Sequence, residues 1–179
     1  AYNHIHDIGP GLLSDMGGIY PLGPQPGTII RGNRIHGVRK LVYGAWCIYL
    51  DEGSSHILVE DNLCYDTNGE VFHQHYGRDN TLRGNVFAFG AEGIIGHGRV
   101  LGEHLALSME QNIILTDGKP VFTGGYACLL SQRNHRSEGN IFWDISGAGP
   151  VFKDKSGVIG LDEWRVLGHD IHSVVDDPK

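Results

Sequence analysis

The sequence predicts an all-β protein: a parallel solenoid of about six coils over residues 1–150, closed by a capping segment over 151–179 of the same domain. Three observations predict it. An asparagine-bearing motif recurs along the chain. Glycine is abundant, 27 of 179 residues, while long runs of Ala, Leu, Glu and Lys at helical spacing are missing. Apolar and polar residues alternate on either side of each recurring asparagine, as half-buried strands require.

The motif reads TIIRGNRIHGV at 28–38, ILVEDNLCYDT at 57–67, NTLRGNVFAFG at 80–90, LSMEQNIILTD at 107–117 and HRSEGNIFWDI at 135–145. Asn3 in YNHIHDI extends the series backwards, followed by Asn33, Asn62, Asn85, Asn112 and Asn140, at gaps of 30, 29, 23, 27 and 28 residues. Each unit is a short strand, a polar pair ending in Asn, and a second strand. One such coil cannot bury its apolar side alone, but stacked copies make a continuous interior in which every strand pairs above and below. An amide at a fixed corner can donate and accept along the stack, satisfying turn backbone that would otherwise be buried unpaired. Ile35, Leu63, Val86, Ile113 and Ile141, one or two residues after the Asn, are the expected core positions. The strings GPQPG (23–27) and GAEGIIGHG (90–98) read as loops leaving the coil rather than phosphate-binding turns. Past Val151 the repeat fades, and LDEWRVLGHDIHS reads as a turn or short helix covering the C-terminal end. The N-terminal coil has no such cover, so either a second copy stacks there as a homodimer or a lost segment once covered it.

Composition excludes several classes. Fourteen Lys and Arg against 21 Asp and Glu leave a net charge of -7, unsuited to a general grip on nucleic acid phosphates. No apolar run approaches a membrane span. Cys47, Cys64 and Cys128 are an odd number at no metal-like spacing, so neither a disulfide scaffold nor a zinc knuckle is expected. Cys47 and Cys64 read as small core residues. No leader is visible and the chain opens at Ala1; an extracellular or periplasmic location is slightly favoured.

Ile19, Ile48 and Val71 lie fourteen residues before a ladder Asn and form an expected inward column. The next positions, Tyr20, Tyr49 and Phe72, then form an exposed aromatic stripe, the surface on which the apolar faces of pyranose rings pack. Two residues further, Leu22, Asp51 and Gln74 share an outward column, with Glu52 beside Asp51 and Asp15 on the approach to the preceding strand. Coils rise about 4.8 Å each, so acids on adjacent coils can stand roughly 5 to 9 Å apart, the separation used in glycoside hydrolysis. Asp15 and Asp51 are the expected catalytic pair and Glu52 the reserve; a turn-forming role for Asp51 and Glu52 before Gly53 is the competing reading. Trp46, His73, His75 and Tyr76 complete the expected substrate-binding set. The H-x-H pair of His73 and His75 places two rings on one side of a strand, although the asparagine count turns His73 inward unless a bulge shifts it by one residue. A second pair, His4 and His6, lies too far away to share an ion with the first; neither a metal nor a cofactor is expected.

The repeat resembles the right-handed parallel β-helix proteins of polysaccharide breakdown. SDMGGIY (14–20), YGAWCIYLDEGSS (43–55) and FHQHYGRDN (72–80) more particularly resemble bacterial proteins near glycoside hydrolase family 141, as does the closing pattern of Trp164, Gly168, Asp170, His172, Ser173, Asp177 and Pro178. The resemblance implies a carbohydrate-active hydrolase with a glycan substrate, catalytic carboxylates at the SDMGG and LDEGS aspartates, and a chain matching the C-terminal half of longer relatives. Two other functions compete. A lyase or epimerase would need a cation to neutralise a uronate carboxyl. A shortened β-helix would only bind glycan or assemble.

Overall fold

A computed structural model describes residues 1–124, 134–154 and 157–178. Cys128 lies outside the described residues. The chain winds as a parallel β-solenoid of five three-stranded turns and a partial sixth. Sheet 1 stacks β1 (His4–Leu13), β4 (Arg34–Lys40), β7 (Leu63–Thr67), β10 (Val86–Gly90), β13 (Ile113–Thr116), β16 (Ile141–Asp144) and β19 (Val174–Val175). Sheet 2 stacks β2 (Met16–Ile19), β5 (Ala45–Leu50), β8 (Glu70–Gln74), β11 (Gly93–His97), β14 (Phe122–Gly124) and β17 (Val151–Asp154), all parallel, then β18 (Gly157–Gly160) antiparallel at its edge. Sheet 3 stacks β3 (Ile29–Arg31), β6 (Leu58–Glu60), β9 (Asn80–Arg83), β12 (Leu107–Glu110) and β15 (His135–Glu138).

The six asparagines stand in one row at the corner between sheets 3 and 1. In each step one Oδ1 accepts both the backbone N–H and the side-chain amide of the Asn one coil earlier, at 2.8–3.1 Å from Asn3 through to Asn140. The residue just before the Asn makes the corner: Gly32, Asp61, Gly84, Gln111 and Gly139 all hold φ between 55° and 68°. That left-handed backbone explains why glycine fills three of these five places. At the C-terminal end Asp170 and Ser173 replace the missing Asn. Asn140 donates its amide to Asp170 Oδ1 at 2.8 Å and its backbone N–H to Ser173 Oγ at 2.7 Å. Trp164 of α1 (Leu161–Val166) donates to the other Asp170 oxygen at 2.7 Å and stacks on Phe152 at 4.4 Å, covering the end of the core.

Register corrects the expected core. The inward column of sheet 1 is Ile5, Ile35, Cys64, Phe87, Ile114 and Phe142, always the second residue after the Asn. Leu63, Val86, Ile113 and Ile141 stand on the outer face beside Arg34, and Leu63 is 39% exposed. In sheet 2 the inward column is Ile19, Ile48, Phe72, Ile95, Phe122 and Phe152. Phe72 is therefore a fully buried core residue, not part of a surface stripe. Counting back from the Asn misplaces it because the connection from β8 to β9 is one residue shorter than its counterparts in the two preceding coils. The segment at 90–98 is likewise no loop: Gly93–His97 form buried β11.

Candidate functional site

The outer face of sheet 2 collects the site residues. Its outward column runs Tyr49, His73, Gly96, Thr123 and Lys153, with Tyr20 preceding Tyr49 in the stack. His73, rather than Phe72, thus stands beside Tyr49. The aromatic rings form one continuous pile, with centroids 4.6 Å apart for Tyr20 and Tyr49, 4.3 Å for Tyr49 and Trp46, and 4.4 Å for Trp46 and His73. Because the rings cover one another, Trp46 and Tyr49 are only 2% exposed; Tyr20 (43%) and Tyr43 (56%) present the open ring surfaces.

Asp51 sits at the head of this pile, 7% exposed. Its Oδ2 accepts the Tyr20 hydroxyl, while Oδ1 accepts the Tyr49 hydroxyl at 2.8 Å and pairs with His75 Nδ1 at 3.0 Å. Three consecutive coils supply these donors. Burial would raise the Asp51 carboxyl, but the hydrogen bonds from Tyr20, Tyr49, His75 and the Glu52 backbone outweigh it and hold it below the ordinary aspartate value. The Tyr20 and Tyr49 phenols move up, through burial first, then their hydrogen bonds to Asp51 and its charge. Asp51 and Glu52 also open a tight turn, closed by Ser54 N–H on the Asp51 carbonyl at 2.9 Å with Gly53 at φ 74°. Glu52 points into solvent there.

Asp15 is exposed, at φ 56°, and its backbone N–H reaches the Tyr43 carbonyl at 2.8 Å. Burial, then the Asp15 charge and hydrogen bond, raise the Tyr43 phenol. Asp15 and Asp51 act on the same three tyrosines, Tyr20, Tyr43 and Tyr49. Leu22 follows the register of Ile19 and Ile48 to stand beside Asp51, but Gln74 does not share that column: it is buried opposite Leu50, accepting from Asn80 at 3.0 Å. Tyr76 packs edge-on against His75 at 5.1 Å and carries the Arg99 guanidinium 4.6 Å above its ring.

From this cluster a groove of about 830 Å³ runs along the stack over β8, β11, β14 and β17, with Tyr43, Glu70, His73, His75, Thr123 and Lys153 among its walls. Of the expected residues only His73 and His75 line it; Asp51 meets it through His75. Glu70, which no sequence motif marks, is its best-anchored carboxylate. Trp46 Nε1 donates to one oxygen at 2.7 Å and Thr123 Oγ1 to the other at 2.9 Å. Gly96 makes the fit between Glu70 and His73. Its φ lies outside the left-handed region, so its backbone does not demand glycine, yet a Cβ there would lie 2.5 Å from His73 Nδ1 and 3.3 Å from Glu70 Oε1. Gly98 serves His75 similarly, with a Cβ 2.5 Å from the His75 carbonyl. His73 Nδ1 is buried without a hydrogen-bond partner among the described residues. Burial chiefly, helped by His75 and opposed by Asp51, pushes the His73 imidazole down to about 3, so the ring is neutral at physiological pH.

His4 and His6 lie instead on sheet 1, meeting His36 from the next coil, with His4 and His36 Nε2 atoms 2.9 Å apart. Among the described residues no group of three or more His, Cys, Asp or Glu is arranged to hold a metal ion. Cys47 and Cys64 are free and fully buried, and burial followed by the neighbouring Cys47 raises the Cys64 thiol. Comparison with family models, with curated proteins and with solved structures finds no match.

Proposed function

We propose that the chain is part of a carbohydrate-active β-solenoid that holds a glycan along the sheet 2 groove and hydrolyses a glycosidic bond at the aromatic end. The observation that carries this reading is Asp51: a nearly buried carboxylate kept ionised by two tyrosines and a histidine, where the ring pile meets the groove. Hydrolysis needs one carboxyl to protonate the departing oxygen and an ionised one to attack, or to activate water against, the developing cation. Asp51 has the environment of the ionised partner. Asp15, exposed at the rim beside Tyr43, takes the acid role, with Glu52 remaining the reserve. Tyr20 and Tyr43 offer ring faces to a sugar, and His73 and His75 offer polar contacts from the groove wall.

Asp51→Asn and Asp15→Asn, assayed for new reducing ends on a panel of plant and bacterial glycans, are each expected to lose about 100- to 10,000-fold in rate with the β-sheet circular dichroism kept. Full turnover by both variants would remove the assignment. An elimination reaction is the second reading, favoured by Lys119 and Lys153 on the groove wall, which could neutralise a uronate. Unsaturated, ultraviolet-absorbing chain ends in place of new reducing ends would establish it instead.

A further inference from the structure

The chain is acidic, with a net charge of -7, and several of its described cations are paired with carboxylates. Arg31 and Arg83 share Glu60, Arg39 holds Asp66, and Lys40 holds Glu92 at the groove rim. Lys119 and Lys153 differ. Both line the sheet 2 groove, and neither forms an ion pair among the described residues. The groove acids do not answer them. Glu92 is matched by Lys40, and Glu70 is turned to Trp46 and Thr123. Lys153 continues the outward column that begins at Tyr49, three coils beyond His73, or about 14 Å along the stack. The groove is therefore chemically polar along its length. The neutral His73 ring stands towards one end and the ammonium groups of Lys119 and Lys153 towards the other, with Glu70 and Glu92 between them already engaged by Trp46, Thr123 and Lys40.

We propose that Lys119 and Lys153 form an anion subsite, which receives a carboxylate or sulfate carried by the glycan several sugar units from Asp51. The inference rests on reading the groove as a glycan cleft, but not on whether the bond is broken by hydrolysis or elimination. Two ammonium groups facing one concave wall attract an anion more strongly than the same groups on an open surface, and they offset the repulsion of an acidic chain.

Calorimetric titration of the full chain at low ionic strength tests this with oligogalacturonate, its fully methyl-esterified counterpart and a sulfated galactan oligosaccharide. The acid or the sulfated form is expected to bind at least about tenfold tighter than the ester, with the preference shrinking as salt rises to about 0.15 M. In the Lys119→Gln, Lys153→Gln double variant, that preference should fall towards one while ester binding stays unchanged. Tighter sulfate than uronate binding would keep the subsite and identify its anion. Equal binding of acid, sulfate and ester, or a double variant that retains the preference, would overturn the subsite while leaving the glycan reading intact. Binding by none of the three, nor by any neutral oligosaccharide, would overturn that reading and the subsite with it.

Discussion

Asn85→Ala destabilises the protein by about 4 kcal/mol or more, enough to consume much of a single domain's stability. The side chain is wholly buried. Its Oδ1 accepts the backbone N–H of Asn62 at 3.0 Å and the Asn62 amide at 2.9 Å, and its own amide donates to the Val59 carbonyl at 2.9 Å and to Asn112 Oδ1 at 3.0 Å. Alanine removes these four hydrogen bonds, at about 1 kcal/mol each, and leaves the Asn62 backbone N–H without its acceptor in a dry corner, at about 1–3 kcal/mol more, whereas Asn112 Oδ1 keeps the backbone N–H of residue 85 and the Asn62 amide keeps the Ile30 and Glu60 carbonyls. Asn3→Ala is the matched control: Asn3 is exposed and its side chain makes one described hydrogen bond, the amide donation to Asn33 Oδ1 at 3.0 Å, so its loss costs about 1 kcal/mol or less. Urea unfolding followed by circular dichroism gives both numbers. Equal, small losses at the two positions would mean that the buried row does not carry the stack.

Acidification weakens the fold well above the ordinary carboxylate range. His73 and His97 are pushed down to about 3 by burial, aided for His73 by His75 and for His97 by His73 and His75. Both are neutral in the folded chain and titrate near 6.5 in the unfolded one. As pH falls below about 6.5 the unfolded state takes up protons that the folded state refuses, so stability drops by about 1.4 kcal/mol per pH unit for each residue, down to about pH 3. Between pH 6 and pH 4 the pair removes about 5 kcal/mol. Asp51 and Glu60, whose folded carboxyls are held low, add losses of the same sign once pH falls through their own range. The unfolding midpoint in urea should fall steadily from pH 6.5, and His97→Gln should flatten that slope. A midpoint that stays level from pH 6.5 to pH 4.5 would contradict the burial of these rings.

The ladder could be read from sequence because each coil needs the same amide at the same corner, and a left-handed residue before it to make the turn. Sheet 2 was harder to read. It lies across variable connections, so a single residue missing between β8 and β9 exchanges Phe72 and His73 between core and surface. The same blindness made Gly93–His97 look like a loop, since glycines that clear space for His73 and His75 resemble glycines that make turns. Asp51 was visible in its LDEG string, but its partners Tyr20 and His75 come from the coils before and after, and only register brings them together. Glu70, Lys119 and Lys153 belong to no motif; the winding of the chain alone places them along one wall.

The reversal of β18 sets a direction on the whole molecule. Its antiparallel run along β17, with Trp164 sealing the interior behind it, leaves sheet 2 no same-sense edge on which a further coil could be templated. A coil stacked on that end would therefore have to pair through β19 and β15, the parallel edges of sheets 1 and 3, without sheet 2.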